Sequence, residues 1–257
     1  DPAFSGIKSV LTIHNLGYQG RFNARLVAET GLIPAMVMHP EGAEYFGDVN
    51  FLKGGIVYSD FITTVSPRYA QEIQTAEYGF GLDGLLRSRS YKLSGIVNGV
   101  DYSEWNPDHD AYIPAHYSVG DLGGKLVCKQ RLLQEVGLPA HDLSKPLIGI
   151  VSRFASQKGL DLVAECIAGL ADLDIQMVVL GSGDRYLESA FEFFAKARPH
   201  QFAFQSGYNN ALAHRIEAGA DMFLMPSRYE PCGLNQTYRL RYGTVPLLRP
   251  TGGLGDT

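Results

Sequence analysis

Short apolar runs rich in β-branched residues alternate along this chain with longer stretches whose apolar residues recur at helical spacing. The runs at 9–14 (SVLTIH), 60–65 (DFITTV), 92–100 (KLSGIVNGV), 146–151 (PLIGIV) and 174–180 (DIQMVVL) read as strands, as do 221–225, 244–248 and a short one at 202–205. They are continuously apolar rather than alternating, the pattern of parallel strands covered on both faces. Helices are expected at 50–59, from Ser66-Pro67 onward, and at 125–136, 160–170, 185–197, 209–218 and 234–242. Pro67 suits a first helical position, and Gly137 with Pro139 makes a stop. Pro34, Pro40 and Gly47 break 21–50 into loops and short helices, and the three glycines of 77–86 predict an ordered loop running into a helix. Residues 102–117 are rich in Asp, Pro, Trp and Tyr without any period, which suits a linker or crossover. The alternation of strand and helix predicts an α/β fold with doubly wound parallel sheets.

Composition narrows the function. The chain has 257 residues, 45% of them hydrophobic, enough for one large domain or two smaller ones. A net charge of −5 gives no electrostatic footprint for nucleic acid or anionic lipid. Cys128, Cys166 and Cys232 form no CxxC pair, which argues for a reducing, cytoplasmic setting and against a zinc site or disulfides. No apolar run approaches the roughly 20 residues that span a bilayer, so no membrane is expected as a partner. The chain starts at Asp1 close to a strand and stops at Thr257 after a glycine turn, so both ends are expected to be cuts in a longer protein.

Candidate chemistry gathers where strands end. The stretch 224–236 (LMPSRYEPCGLNQ) passes from an apolar strand through a Pro-bounded turn into a helix. Charged groups after a parallel strand, facing a helix N-terminus, are where open α/β sheets bind ligands. Glu230 in that turn could accept hydrogen bonds from sugar hydroxyls, or simply pair with Arg228. Cys232 lacks the neighbours of a cysteine nucleophile, so packing or ligand contact is preferred. Arg153 and Lys158 share the loop expected at 152–159 and would clamp a diphosphate; solvated surface cations are the alternative. Thr251, Gly252 and Gly253 could bring backbone N–H groups to a phosphate, or be only a tight turn. The GSGD at 181–184 is a weak, incomplete dinucleotide fingerprint. His14 and Asn15 end the first strand, where His14 suits either ligand contact or a structural role. Asn98 suits either a left-handed turn or an amide at the mouth of the sheet. Tyr208 could stack on a base or pack in the core.

Together these stretches resemble the bacterial glycogen synthases, retaining glucosyltransferases related to plant starch synthases. The resemblance rests on TIHNLGYQG at 12–20, FLKGG at 51–55, TTVSPRYAQEI at 63–73, GLDGLL at 81–86, GIVNGVD at 95–101, VSRFASQKGLDL at 151–162, PSRYEPCGLNQ at 226–236 and TGGL at 251–254. It implies the GT-B fold, two Rossmann-like domains facing across a cleft. Residues 1–100 would be the C-terminal part of the first, acceptor-side domain. Residues 101–257, including a linker at 101–120, would be most of the second, nucleotide-sugar-binding domain. It implies transfer of glucose from ADP-glucose to an α-1,4-glucan such as glycogen, with no cofactor and no metal, since Arg and Lys replace one. By motif position, His14 and Glu230 would be catalytic and contact the transferred glucose, and Arg153 with Lys158 would hold the diphosphate. Asn15, Asn98, Gly207, Tyr208, Cys232, Gly233, Leu234, Asn235, Thr251 and Gly252 would line the substrates, with Tyr208 on adenine and Gln236 near the turn's second acidic position.

The departures are Asn235 where Thr is common, a variant equally able to donate to a phosphate, and Arg239 where a small residue is common and Gly255 in place of Ala or Asp, neither expected to touch the named chemistry. The family's Lys-x-Gly-Gly loop is not in this chain, so the isolated piece is expected to be inactive. Two rival readings are another retaining glycosyltransferase of the same architecture, making sucrose or trehalose, and a non-catalytic sugar-nucleotide or glucan-binding module.

Overall fold

The computed structural model describes residues 6–256, apart from the side chains of Leu234 and Asn235. The chain forms two compact units, the first running to Asn98 and the second from Gly99 to Gly255.

The first unit contains, in order, β1 (Val10–Ile13), β2 (Arg21–Asn23), α1 (Leu26–Glu29), α2 (Pro34–Val37), β3 (Glu44–Tyr45), β4 (Asp48–Asn50), α3 (Phe51–Tyr58), β5 (Phe61–Thr64), α4 (Pro67–Glu72), α5 (Asp83–Ser88) and β6 (Leu93–Gly95). Strands β1, β5 and β6 form a parallel sheet in the order β1-β5-β6. The Thr64 hydroxyl donates to Ile13 O at 2.6 Å, and Thr12 meets Thr63 at 2.8 Å, so the register carries side-chain bonds as well. Asn50 and Ser66 cap α3 and α4 by accepting from Lys53 N and Tyr69 N. Tyr69, fully buried, accepts from Leu16 N at 3.0 Å and so fixes the loop that follows β1.

Two expectations change here. Residues 21–50 hold a small antiparallel sheet, β2-β4-β3, as well as short helices. Strands of two or three residues carry no readable alternation. The expected strand at 92–100 is only Leu93–Gly95, which leaves Asn98 in irregular chain beyond its end.

The second unit contains α6 (Gly123–Val136), β7 (Leu147–Phe154), α7 (Leu160–Ala171), β8 (Gln176–Gly183), α8 (Arg185–Ala197), β9 (Phe202–Ser206), α9 (Asn210–Gly219), β10 (Met222–Met225), α10 (Leu234–Arg241) and β11 (Val245–Leu248). Its five strands are all parallel, in the order β11-β10-β7-β8-β9. Alternate residues of β8 feed two cores. Val178 and Leu180 pack with Leu132 of α6 and Ile216 of α9, and Met177 and Val179 pack with Val163 of α7 and Phe191 of α8. Helices thus cover both faces, which is what the unbroken apolar strands require. Among the described residues, no helix is long and apolar enough to cross a membrane.

The segment 102–117, expected as a linker, is folded onto the second unit. Trp105 stacks on His214 at 3.8 Å and on Tyr238 at 4.8 Å between ring centres. Asp110 Oδ2 lies 2.8 Å from His214 Nδ1 and accepts from Tyr242 OH at 2.5 Å. Tyr117 OH donates to Ala218 O and Tyr242 O, while Ile113 and Tyr117 join a core with Cys128 and Tyr242. The segment has no period because its side chains dock one at a time on α9 and α10, not as a stripe.

Burial alone would raise the Asp110 carboxyl, but hydrogen bonds from His214, Tyr242 and the Tyr112 N–H hold it below its ordinary value. Its ionised form therefore contributes stability that is complete above about pH 4 and lost as pH falls through the depressed value. Asp110→Asn is expected to destabilise the second unit by about 1–3 kcal/mol at neutral pH. Urea unfolding should show the gap between parent and variant narrowing below about pH 4.

Candidate functional site

The strand order of the second unit reverses at β7 and β10. Chain leaving β7 passes to one face of the sheet and chain leaving β10 to the other, so a crevice opens between their carboxyl ends. Lys158 follows β7, in the short 3₁₀ turn Ser156–Lys158, and Glu230 follows β10. Their side chains meet, with Lys158 Nζ 2.6 Å from Glu230 Oε2 and both largely buried. The Ser227 hydroxyl donates to the same carboxylate oxygen at 3.0 Å.

Backbone contacts zip the two loops together. Arg228 N donates to Gln157 O at 2.9 Å and Gln157 Nε2 to Tyr229 O at 3.2 Å. Gly159 takes φ +66°, and a Cβ there would stand 2.2 Å from Pro226 O. Only glycine tolerates both the left-handed backbone and that approach. The 251–254 turn closes from the other side. Gly253 N donates to Glu230 O at 3.0 Å, and a Cβ on Gly252 would stand 2.1 Å from that same oxygen.

Several expectations resolve in this geometry. Glu230 pairs with Lys158, not with Arg228, whose guanidinium instead grips both oxygens of Asp161 at 2.6 and 2.5 Å. Lys158 is therefore no solvated surface cation. Arg153 lies on β7 itself rather than on a loop, opposite Ser182 of β8, and is exposed. Its guanidinium makes no ion pair or hydrogen bond among the described residues. The N–H groups of Thr251, Gly253 and Leu254 already donate to backbone carbonyls, that of Gly253 to Glu230 O and Pro231 O on the neighbouring loop. Gly181 and Gly183 finish β8 and Asp184 caps α8, accepting from Tyr186 N and Leu187 N, so GSGD is a strand end and helix start. Tyr208 is 82% exposed after β9, which excludes core packing, and its hydroxyl donates to Asn210 Oδ1 at 2.8 Å beside Gly207. Cys232 is partly buried, and Gly233, with φ +72°, starts α10. The side chains of Leu234 and Asn235 lie outside the described residues.

In the first unit, His14 follows β1, is exposed, and has no hydrogen bond among the described residues, so it does not serve the structural role weighed for it. The Asn15 side chain closes its own turn by accepting from Gly17 N at 2.9 Å. Asn98 is partly buried and follows β6, so it and His14 both lie beyond carboxyl ends of the β1-β5-β6 sheet. Asp161 and the fully buried Arg239 were not anticipated as neighbours of the site. The spacing of Gln236, Arg239 and Tyr242 is the readable signal, since steps of three keep them on one helical face, and all three are buried.

Residues 1–88 match the family described as Starch synthase catalytic domain, and residues 138–257 the family described as Glycosyl transferases group 1. A glycogen synthase of Koribacter versatilis is 56% identical over all 257 residues, which cover 52% of that protein. A glycogen synthase of Anaeromyxobacter dehalogenans is 52% identical over the same span, covering 54% of its length. The chain thus spans about half the length of the curated relatives it matches. The catalytic domain of Starch Synthase IV from Arabidopsis thaliana, solved with ADP and acarbose, superposes with a TM-score of 0.91 at 37% identity. That match covers 97% of this chain and 52% of that one.

Gly159→Ala is expected to destabilise the second unit by about 1–3 kcal/mol, through the left-handed backbone and the clash with Pro226 O. Gly169→Ala, in α7 with open space around its Cβ position, is the contrasting control and should be neutral or stabilising by up to about 1 kcal/mol. Equal effects of the two changes on urea midpoints would contradict the close-approach account.

Proposed function

The chain belongs to the starch and glycogen synthase family of glycosyltransferases, and from that premise we propose what the whole protein does. It transfers glucose from ADP-glucose to the non-reducing end of an α-1,4-glucan, with retention of anomeric configuration, in cytoplasmic glycogen synthesis. The observation that carries this reading is the meeting of Lys158 and Glu230 at the carboxyl ends of β7 and β10, beside the exposed Arg153.

The arrangement suits a sugar nucleotide. A diphosphate is a stronger partner for Lys158 than a single carboxylate, because it offers more charge and more acceptor oxygens. Its arrival draws Lys158 from Glu230 and brings in Arg153, whose fork binds phosphate oxygens in a bidentate way. Glu230, released on one side, accepts from hydroxyls of the transferred glucose and favours the positive charge that develops on the ring. The two cations stabilise the leaving diphosphate, which helps take the acceptor's proton on the same face. Tyr208 is exposed and able to stack on the base. The roles given to His14 and Asn98, contacts to the transferred sugar, rest on the motifs in which they stand.

The test is incorporation of labelled glucose into glycogen by the whole protein, from ADP-glucose and separately from UDP-glucose. Incorporation from ADP-glucose is expected, with a loss of at least about a hundredfold in Glu230→Ala. Nucleotide binding without incorporation from either donor would reject the synthase reading in favour of a binding module.

A further inference from the structure

A cavity of about 170 Å³ lies between the ends of β7 and β10. Three cationic side chains line it, Arg153, Lys158 and Arg239, with the hydroxyl residues Ser152 and Ser227. Among the described residues, no carboxylate lines it. Arg153, at the end of β7, and Lys158, in the turn after it, are the two cations already assigned to the diphosphate under the proposed function. Arg239 comes from α10, enters the cavity wall from inside the protein, and is 0% exposed.

The guanidinium of Arg239 is tightly held. Its Nε lies 3.0 Å from both carboxylate oxygens of Glu217, a residue of α9 that is itself buried. Its plane lies over Phe223, with Cζ 3.3 Å from the ring centre, and Nη1 contacts Met225 Sδ. Nη2 is buried and has no hydrogen-bond partner. A buried N–H donor on a charged group is costly to leave unpaired. Burial also pushes the Glu217 carboxyl up to about 7, against the opposing pull of Arg239, and lowers the guanidinium.

We propose that Arg239 is a ligand-binding residue, the third cationic wall of the anion cavity, whose unpaired N–H is satisfied by a phosphate oxygen of the bound diphosphate. Glu217 holds the guanidinium in place and balances its charge while no ligand is bound. Arg239 is pre-positioned, because its Nε and Nη1 contacts and the Phe223 ring fix the side chain before the ligand arrives. Its side chain has no exposed surface in the resting site, so a phosphate oxygen reaches Nη2 only as the cavity wall covering it opens. It acts on the phosphates and not on the glucan, since it lines the same small cavity as Arg153 and Lys158 and its own contacts are to Glu217 of α9 and to Phe223 and Met225 of β10. This assignment rests on the sugar-nucleotide reading of the site.

The experiment measures binding of ADP and of inorganic pyrophosphate to the whole protein by calorimetry, for the parent, Arg239→Ser and the charge-free pair Arg239→Met/Glu217→Gln. The paired variant keeps side-chain bulk and leaves no buried charge, so it guards against a simple folding defect, which circular dichroism checks on the same samples. Both variants are expected to bind both anions roughly ten- to a hundredfold more weakly than the parent. The KM for glucan should stay within about twofold of the parent, since uniform substrate binding there is untouched. If the parent binds pyrophosphate but not ADP, and the variants lose pyrophosphate, the anion site stands and the sugar-nucleotide reading falls. If folded variants bind both anions as tightly as the parent, or the parent binds neither, the assignment of Arg239 is overturned.

Discussion

Lys158 and Glu230 stand 72 residues apart in sequence and 2.6 Å apart in space, and most of the second unit is arranged to make that meeting possible. The parallel sheet puts the ends of β7 and β10 side by side, and the reversal of strand order there keeps helices from closing the gap. Glycine does the rest locally. Gly159 lets one loop lie against Pro226, and Gly252 lets the 251–254 turn lie against Glu230 O. A methyl group at either position would clash with a backbone oxygen, so the loops would have to move apart.

The same crevice gathers cationic side chains, while other cations of the unit stand in ion pairs away from it. Arg228 is taken up by Asp161 and Lys129 by Asp221, both at about salt-bridge distance on packed elements. Arg153, Lys158 and Arg239 differ in that all three line one small cavity. Such a concentration of like charge is unfavourable without an anion, and Glu230 and Glu217 partly offset it in the ligand-free state. Under the proposed function, binding strength and the resting stability of the site are opposed: whatever strengthens the Lys158–Glu230 pair would also hold Lys158 back from a phosphate.

The regular elements were legible because each carries its own signal. Helix α8 shows a helical period bounded by the Asp184 cap, and its expected span of 185–197 matches Arg185–Ala197. The continuous apolar runs gave the parallel strands, though β7 and β8 run three residues further than their apolar cores because backbone pairing continues through Arg153 and Gly183. The antiparallel β2-β4-β3 sheet was hidden by strands too short to show a period. Partnerships were the least legible. Nothing near Arg228 or Lys158 in sequence tells which carboxylate each will meet, since both choices are made by strand order. The docking of 102–117 was also hidden, because Trp105, Asp110 and Tyr117 converge on His214 of α9 and on Tyr242 just beyond α10, residues more than 100 positions away in sequence.

The central claim is that the Lys158–Glu230 pair is a resting contact, given up for a diphosphate at the ends of β7 and β10. A crystal structure of the whole protein with ADP tests it most directly. The account predicts the phosphates in the crevice within hydrogen-bonding reach of Arg153 and Lys158, with Lys158 withdrawn from Glu230. Phosphates bound elsewhere, or bound there with the Lys158–Glu230 contact unchanged from 2.6 Å, would contradict it.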